Sequence, residues 1–200
     1  MNLGGFGLLR KARDHLLANP TQESRDNILK MLPKLSIGAE VGVAKGKFSK
    51  RILKIVKPSK LYLIDAWSVD ALSNKQLHNY LESQDDVDKW FANVTKTFSA
   101  HDNVVILRGT SQNILNTFPD SFFDWVYLDA GHFYDDILSD LEISFKKVKS
   151  GGLILGDDYI KIKDKWKDDV SRAVMDFTKE HHLTIQSFEN QFVINLANKR

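Results

Sequence analysis

Acidic side chains and one histidine follow two apolar runs of this chain. The run FDWVYL leads into Asp129 and His132, and the run GGLILG leads into Asp157 and Asp158. On neighbouring strands the three carboxylates would converge and repel one another unless protons or a cation neutralised them. Because the chain has no cysteine, oxygen ligands would favour Mg²⁺, with Mn²⁺ or Ca²⁺ as alternatives. The pattern predicts a metal site at Asp129, Asp157 and Asp158, although aspartates also cap turns and helices.

His132 is the candidate catalytic residue. An imidazole with an ordinary pKa of about 6.5 can take a proton from a hydroxyl at neutral pH. Because it follows Asp129 by three positions, we expect it to face the same cleft. The roles of general base, metal ligand and hydrogen-bonded structural residue all stay open for this side chain.

Short apolar runs alternate with longer amphipathic segments, which is typical of an α/β fold. The first five runs indicate parallel strands, because the connections between them are mostly long enough for helical crossovers. Two C-terminal runs separated by turn residues predict an antiparallel hairpin. The seven runs are SIGAEVG, KLYLIDAW, NVVILRG, FFDWVYLDA, GGLILGD, LTIQSFE and NQFVINLA. In such sheets the ligand lies beyond the carboxyl ends of the strands, which is where the candidate residues occur.

A glycine turn follows the first predicted strand. Gly42 and Gly46 bracket a tight turn that opens a helix. The turn lacks the second and third glycines of a dinucleotide-binding G-x-G-x-x-G motif. Glu40 beside the turn and Asp65 at the tip of the second strand could hold a cationic amino group and a ribose diol. Alternatively, Glu40 caps a local amide and Asp65 only starts a turn.

Together these motifs resemble the class I S-adenosylmethionine-dependent methyltransferases, from Ser36 through the terminal hairpin. The segments GTSQNIL, YLDAGH and LGDDY are similar to those of the catechol O-methyltransferase group, and the macrocin-type sugar O-methyltransferases look alike too. The resemblance implies a doubly wound, Rossmann-like sheet, mostly parallel, with strand order 3-2-1-4-5-7-6. His132 stands where the catechol group has a lysine, and this departure puts a catechol substrate in doubt.

The resemblance also implies roles for individual residues. Glu40 would bind the methionine amino group, and Asp65 would hold the ribose hydroxyls. Trp67, Ser111 and Gln112 would lie against the adenine. The implied cofactor-binding residues are Glu40, Gly42, Gly46, Asp65, Trp67, Ser111, Gln112 and Asp129, and the implied metal ligands are Asp129, Asp157 and Asp158.

We therefore expect an S-adenosylmethionine-dependent O-methyltransferase that uses a divalent metal such as Mg²⁺ and acts on a hydroxyl of a small molecule, such as a sugar, polyol or phenol. Two alternatives stay open: a metal-independent methyltransferase with another acceptor, and a non-catalytic S-adenosylmethionine-binding protein. A methyltransferase of nucleic-acid amines would carry an Asn/Asp-Pro-Pro-aromatic segment, which the stretch DAGH does not resemble.

The chain is expected to contain an N-terminal helical lid over residues 1–35 and a methyltransferase domain over residues 36–200. Residues 66–100 predict a helical insertion over the cleft. The formal net charge of +2 is too small to indicate a nucleic-acid partner, and no apolar run reaches membrane-spanning length. Because the N-terminal residues lack a signal-peptide pattern, we expect a cytoplasmic protein, with a homodimer left open.

Overall fold

Seven strands form one sheet in the computed structural model, which describes residues 22–70, 83–159, 165–197 and 199. The strands are β1 (Ile37–Val41), β2 (Lys60–Asp65), β3 (Val104–Arg108), β4 (Phe123–Leu128), β5 (Val148–Gly156), β6 (Thr184–Phe188) and β7 (Gln191–Asn195). Their order is β3-β2-β1-β4-β5-β7-β6. Strands β1 to β5 pair in parallel, and β7 runs antiparallel to both of its neighbours. The predicted fold class, strand order and hairpin are confirmed.

Helices cover both faces of this sheet. They are α1 (Gln22–Met31), α2 (Lys47–Ile55), α3 (Gln84–Phe98), α4 (Ser111–Leu115), α5 (Tyr134–Lys147) and α6 (Lys165–Glu180). Side chains of α1, α2 and α3 join one hydrophobic cluster, and side chains of α4, α5 and α6 join a second. The sheet is therefore doubly wound, as predicted. Within the described ranges, no helix combines the length and apolar character that a bilayer crossing would require.

The central strand β4 shows why consecutive positions of the inner strands are apolar. Val126 and Leu128 belong to the cluster under α4, α5 and α6, whereas Trp125 and Tyr127 belong to the cluster under α1, α2 and α3. Successive side chains of a strand point to opposite faces. Because helices bury both faces, neither set of positions can be polar.

The parallel register brings the carboxyl ends of four strands to one level. Val41 lies opposite Ile64 and Leu128, and Leu128 lies opposite Gly156. The loops after β1, β2, β4 and β5 therefore begin side by side at one edge of the sheet. This arrangement is what the prediction of a common cleft required.

Two helices lie within segments for which the sequence predicts helices. Helix α1 corresponds to the segment TQESRDNILKML, and it packs into the core through Ile28 and Leu29, both 0% exposed. Helix α3 lies in the predicted insertion and begins with a capping box between Ser83 and Asp86. Most of the remaining lid and part of the insertion lie outside the described residues, so both boundaries stay predictions.

Gly42 allows the loop after β1 to touch the loop after β4. Its φ is 92°, and a Cβ atom there would collide with the carbonyl group of Asp129. Two hydrogen bonds hold the backbones in place: Gly42 N donates to Ile64 O at 2.9 Å, and Asp129 N donates to Val41 O at 2.7 Å. A side chain at Gly42 would have to separate these loops.

We expect Gly42→Ala to destabilise the fold more than Gly151→Ala. Gly151 also has a positive φ, 78°, but a Cβ atom there would meet nothing within 4 Å. Gly151→Ala should therefore lower the free energy of unfolding by about 1–2 kcal/mol, the cost of a left-handed conformation alone. Gly42→Ala carries the same cost plus a clash with main-chain atoms. Urea denaturation measures both, and equal losses would contradict the proposed contact.

Candidate functional site

A cavity of about 400 Å³ opens at the edge where the carboxyl ends of the parallel strands meet. The predicted cofactor residues that line it are Gly42, Asp65, Trp67, Ser111, Gln112 and Asp129. His132 lines it as well. Glu40, Gly46, Asp157 and Asp158 are not part of its wall. The structure thus brings most of the predicted site residues to one concave surface.

Asp65 organises the loop after β1. Its Oδ2 accepts hydrogen bonds from the backbone N–H groups of Val43 and Ala44, both at 2.8 Å, and its Oδ1 accepts one from Trp67 N at 2.7 Å. A carboxylate has about four lone-pair sites, so this group can accept a further bond from the cavity. The turn-forming role considered from the sequence is present, and the ribose role stays a prediction.

Glu40 lies behind the cavity wall, 1% exposed. Its Oε2 has no hydrogen-bond partner within the described part of the chain. Burial raises the pKa of Glu40 well above its usual value, and the charges of Asp129 and Asp65 raise it further. A buried acceptor without a donor is rare in folded proteins, and a cationic amino group from a ligand would provide one.

Trp67 braces the same loop. Its indole N–H donates to Ala44 O at 3.0 Å, its ring lies 4.9 Å from the ring of Phe91, and the residue is 1% exposed. Its φ of 41° lies in the left-handed region, a conformation that the hydrogen bond to Asp65 supports. Little of the side chain is accessible from the cavity, so the expected contact with adenine stays a prediction.

Ser111 and Gln112 begin α4, and they converge on one buried carboxylate. The N-cap of this helix is Thr110, whose hydroxyl accepts from Asn113 N. Ser111 Oγ and Gln112 Nε2 instead donate to Asp140 Oδ1, at 2.5 and 3.0 Å. Both residues face the cavity, as their predicted role requires.

Asp140 is a buried acidic residue of the cavity to which sequence reasoning assigned no role. It lies on α5, is 3% exposed, and lines the cavity. Burial raises the pKa of this carboxyl to about 7, against the opposing effect of the Ser111 hydrogen bond. One signal was present in the sequence: Asp140 falls on the same helical stripe as Ile137 and Leu141, where apolar residues are expected.

A cluster of possible metal ligands lies beside the cavity, but its membership differs from the prediction. Asp129, His132 and Asp158 each offer one ligand atom, and these atoms lie within 4.8 Å of one another. His132 Nε2 is 2.8 Å from Asp158 Oδ2. Asp157 is not in the cluster. His132 offers the third ligand atom, where the sequence analysis predicted Asp157.

Protein groups already engage the carboxylate of Asp157. It forms an ion pair with Arg25, accepts a hydrogen bond from the side chain of Gln191, and accepts another from Asp158 N at 2.8 Å. Gln191 Oε1 in turn accepts from the hydroxyl of Tyr127 at 2.7 Å. The adjacent carboxylates of Asp157 and Asp158 thus contact different side chains, with His132 as a partner of Asp158.

Arg25 of α1 places a positive charge beside the carboxylates at the carboxyl ends of the strands. Its guanidinium lies over the ring of Phe48, 5.4 Å from the centroid, and 3.7 Å from Asp129 Oδ2. Sequence reasoning assigned Arg25 no role, because 132 positions separate it from Asp157 and no local motif marks it. The arginine partly neutralises the acidic edge without any ligand.

Burial and neighbouring charges shift the acid–base groups of the cluster. Burial raises the pKa of Asp129 to about 6, although the charges of Arg25 and His132 oppose this rise. Burial alone would lower the pKa of His132, but the hydrogen bond and charge of Asp158 and the charge of Asp129 outweigh it, so the net shift is upward. The cluster thus contains groups able to exchange protons near neutral pH.

Comparisons with known proteins agree with this geometry. The model of a family described as "Methyltransferase domain" matches residues 39–159, whereas no curated protein matches the chain. Among solved structures, a candidate caffeoyl-CoA O-methyltransferase from Staphylococcus aureus is 14% identical, with a TM-score of 0.61 and coverage of 98% of this chain and 93% of that one.

Two further structures are similar. The O-methyltransferase NovP is 15% identical, with a TM-score of 0.63 and coverage of 86% of this chain and 79% of that one. Fibrillarin from Aeropyrum pernix, solved with natively bound S-adenosyl-L-methionine, is 12% identical, with a TM-score of 0.57 and coverage of 86% and 73%. At such identities the likeness establishes the fold.

The Arg25–Asp157 ion pair should couple α1 to the end of β5. In a double-mutant cycle with Arg25→Gln and Asp157→Asn, we expect a coupling of about 1–3 kcal/mol in the free energy of unfolding, as found for contacting residues in a shared network. The control is the Lys149–Asp124 pair, whose side chains are 43% and 28% exposed, with an expected coupling below about 1 kcal/mol. Equal couplings would show that burial does not strengthen the Arg25–Asp157 ion pair.

Proposed function

We propose, from the premise that this chain belongs to the methyltransferase-domain family, that it transfers a methyl group from S-adenosylmethionine to a hydroxyl of a small molecule such as a sugar, polyol or phenol. One observation carries the proposal. A single cavity joins the carboxylate-organised turn of Gly42 and Asp65 to the acid–base cluster that contains Asp129 and His132.

The turn side of the cavity has the groups that a nucleoside with an amino-acid tail needs. Gly42 leaves space for close backbone approach. Asp65 faces the cavity with spare acceptor capacity for a diol. The unpaired oxygen of Glu40, behind the cavity wall, would suit an ammonium group that entered from the cavity. Ser111 and Gln112 supply polar side chains at the start of α4. These features support S-adenosylmethionine as the methyl donor.

The donors of the cluster fit a divalent cation. Asp129 and Asp158 offer carboxylate oxygens, which suit Mg²⁺ and Mn²⁺. His132 also offers an imidazole nitrogen, but a nitrogen bound to a cation could not accept a proton, so this proposal assigns the cation to the two carboxylates. When bound, a cation of this kind supplies positive charge that favours the ionised form of a nearby hydroxyl. We therefore keep the proposal of a metal, with Mn²⁺ beside Mg²⁺ as candidates and without Asp157 as a ligand.

His132 supplies the proton acceptor in this proposal. It lines the cavity, and Asp158 holds its Nε2 at 2.8 Å, which fixes the orientation of the ring. The acceptor hydroxyl would lose its proton to the neutral form of this imidazole as the methyl group is transferred, and Asp158 would stabilise the resulting imidazolium. Because Asp158 also raises the pKa of His132, this base form is populated only above the raised pKa. Most of the rate enhancement would come from holding the two reactants in line in one cavity.

Two alternative functions predict different experimental results. A metal-independent methyltransferase would work unchanged in chelator, and a non-catalytic binding protein would bind S-adenosylmethionine without turnover. The O-methyltransferases among the structural neighbours support transfer to oxygen by analogy of fold only, so the test must include both binding and turnover.

We expect Asp65→Ala to weaken S-adenosylhomocysteine binding by about 1.5–3 kcal/mol, as for the loss of hydrogen bonds to a charged group. Isothermal titration calorimetry measures the affinity, and circular dichroism verifies that the variant is folded. Asp102→Ala is the matched control, because Asp102 is exposed and remote from the cavity wall. Unchanged affinity in a folded Asp65→Ala protein would remove Asp65 from the cofactor site.

We expect His132→Ala to lower kcat by about 10²–10⁴ with little change in S-adenosylhomocysteine affinity, because a general base acts on the transition state. The assay measures S-adenosylhomocysteine release with a panel of phenols, sugars and polyols in Mg²⁺ or Mn²⁺. The wild-type protein should lose its activity in excess chelator and regain it when metal is added.

Other results would change the role assigned to the metal or to His132. Full wild-type activity in chelator would eliminate the metal. A variant that keeps its rate but binds Mn²⁺ more weakly in calorimetry would make His132 a ligand and not the base. If the variant is unchanged in both measurements, His132 has a structural role. If the protein binds the cofactor but turns over no acceptor, it is a non-catalytic S-adenosylmethionine-binding protein.

A further inference from the structure

Arg25 lies between two carboxylates at the carboxyl ends of the strands. Its guanidinium forms an ion pair with Asp157 and lies 3.7 Å from Asp129 Oδ2. The side chain of Arg25 is 25% exposed and that of Asp157 only 4%. Asp129 is also one of the two carboxylates proposed to hold a divalent cation. This carboxylate would therefore be shared between a charge that belongs to the protein and one that comes from solution.

Helix α1 holds the backbone of Arg25 in place. On one side of it, Ser24 Oγ donates to Phe188 O at 3.1 Å. On the other side, Asp26 accepts a hydrogen bond from Arg51 Nε at 3.0 Å. Because both neighbours are anchored, only a rotation of the Arg25 side chain could take its charge away from the acidic cluster.

A cation bound at Asp129 would meet the charge of Arg25 at short range. Like charges repel, and salt screens this repulsion less where the side chains are partly buried. An arginine is effectively always protonated, so the protein cannot relieve the repulsion by releasing a proton. Either the guanidinium shifts away from Asp129, or the cation binds beside it at a cost. In both cases part of the binding free energy of the cation is lost.

We infer that Arg25 is a built-in counter-ion that competes with the divalent cation for Asp129 and so determines how tightly the metal is held. This inference rests on the metal of the proposed function. Without the metal, Arg25 already supplies positive charge to Asp129 and Asp157, so the ion is exchangeable and the fold does not depend on it. A residue that supports a metal ligand has the opposite effect on affinity.

The first measurement compares Mn²⁺ binding by the wild-type protein and by Arg25→Gln, both freed of metal with chelator, in isothermal titration calorimetry. The substitution leaves Asp129 without a competing charge. We expect the variant to bind Mn²⁺ about 10- to 100-fold more tightly, the range typical for changes beside a metal ligand. A supporting role for Arg25 predicts weaker binding.

The second measurement is the rise in melting temperature caused by a fixed concentration of Mn²⁺. A ligand stabilises the folded protein by an amount that grows with its affinity. Arg25→Gln should therefore gain more than the wild-type protein, although it lacks the ion pair with Asp157.

Two further variants control these measurements. Arg51→Gln is the matched control, because Arg51 also carries a positive charge, pairs with Asp26 of α1, and has a side chain of similar exposure, 32%. Its Mn²⁺ affinity should stay within about twofold of the wild-type value, since remote exposed charges are largely screened. Arg25→Met removes the charge but keeps an apolar stem over Phe48, so it replaces Arg25→Gln if that variant does not fold.

The outcomes separate this inference from the proposed function. Equal or weaker Mn²⁺ binding by a folded Arg25→Gln or Arg25→Met protein would overturn the inference. An equal gain in Arg51→Gln would also overturn it, because net charge alone would then explain the effect. If the wild-type protein binds Mn²⁺ but no S-adenosylhomocysteine, the proposed function fails and the inference about Arg25 stands. If neither the wild-type protein nor any variant binds Mn²⁺, the proposed metal and this inference fail together.

Discussion

The concentration of carboxylates at one sheet edge is the constraint on which the rest of the site depends. Asp65 is satisfied by backbone N–H groups, Asp157 by an arginine and a glutamine, and Asp158 by an imidazole. Glu40 and Asp129 are less well satisfied, and burial raises the pKa of both. Under the proposed function, a methionine amino group and a divalent cation are the positive charges that these two acids would meet.

The fold could be predicted from the sequence because its signals are local and consistent. The apolar run of β4 reflects burial on both faces, and the glycines at Gly42 and Gly46 mark a turn with positive φ. Each strand end is followed by a helix start or a turn, which predicts parallel connections, whereas the strand order was implied by the family resemblance. The resemblance to class I methyltransferases, inferred from these motifs, is confirmed by the family match over residues 39–159.

The composition of the site could be predicted only in part. Strand ends determine which residues reach the common edge, and Asp65, Asp129 and His132 do line the cavity. They do not determine side-chain direction, so the sequence could not show that Asp157 turns to an ion pair under α1. Arg25 was missed for a related reason, because its partners are distant in sequence and no motif records such a pair.

Groups around the cleft come from both layers of the fold. Asp140 belongs to α5, which packs on one face of the sheet, whereas Arg25 belongs to α1, which packs on the other. The glycine turn after β1 and the acid–base cluster after β4 meet where their two loops touch. The absence of a side chain at Gly42 permits this contact with Asp129. A residue with no chemical group of its own thus determines how closely the glycine turn approaches the acid–base cluster.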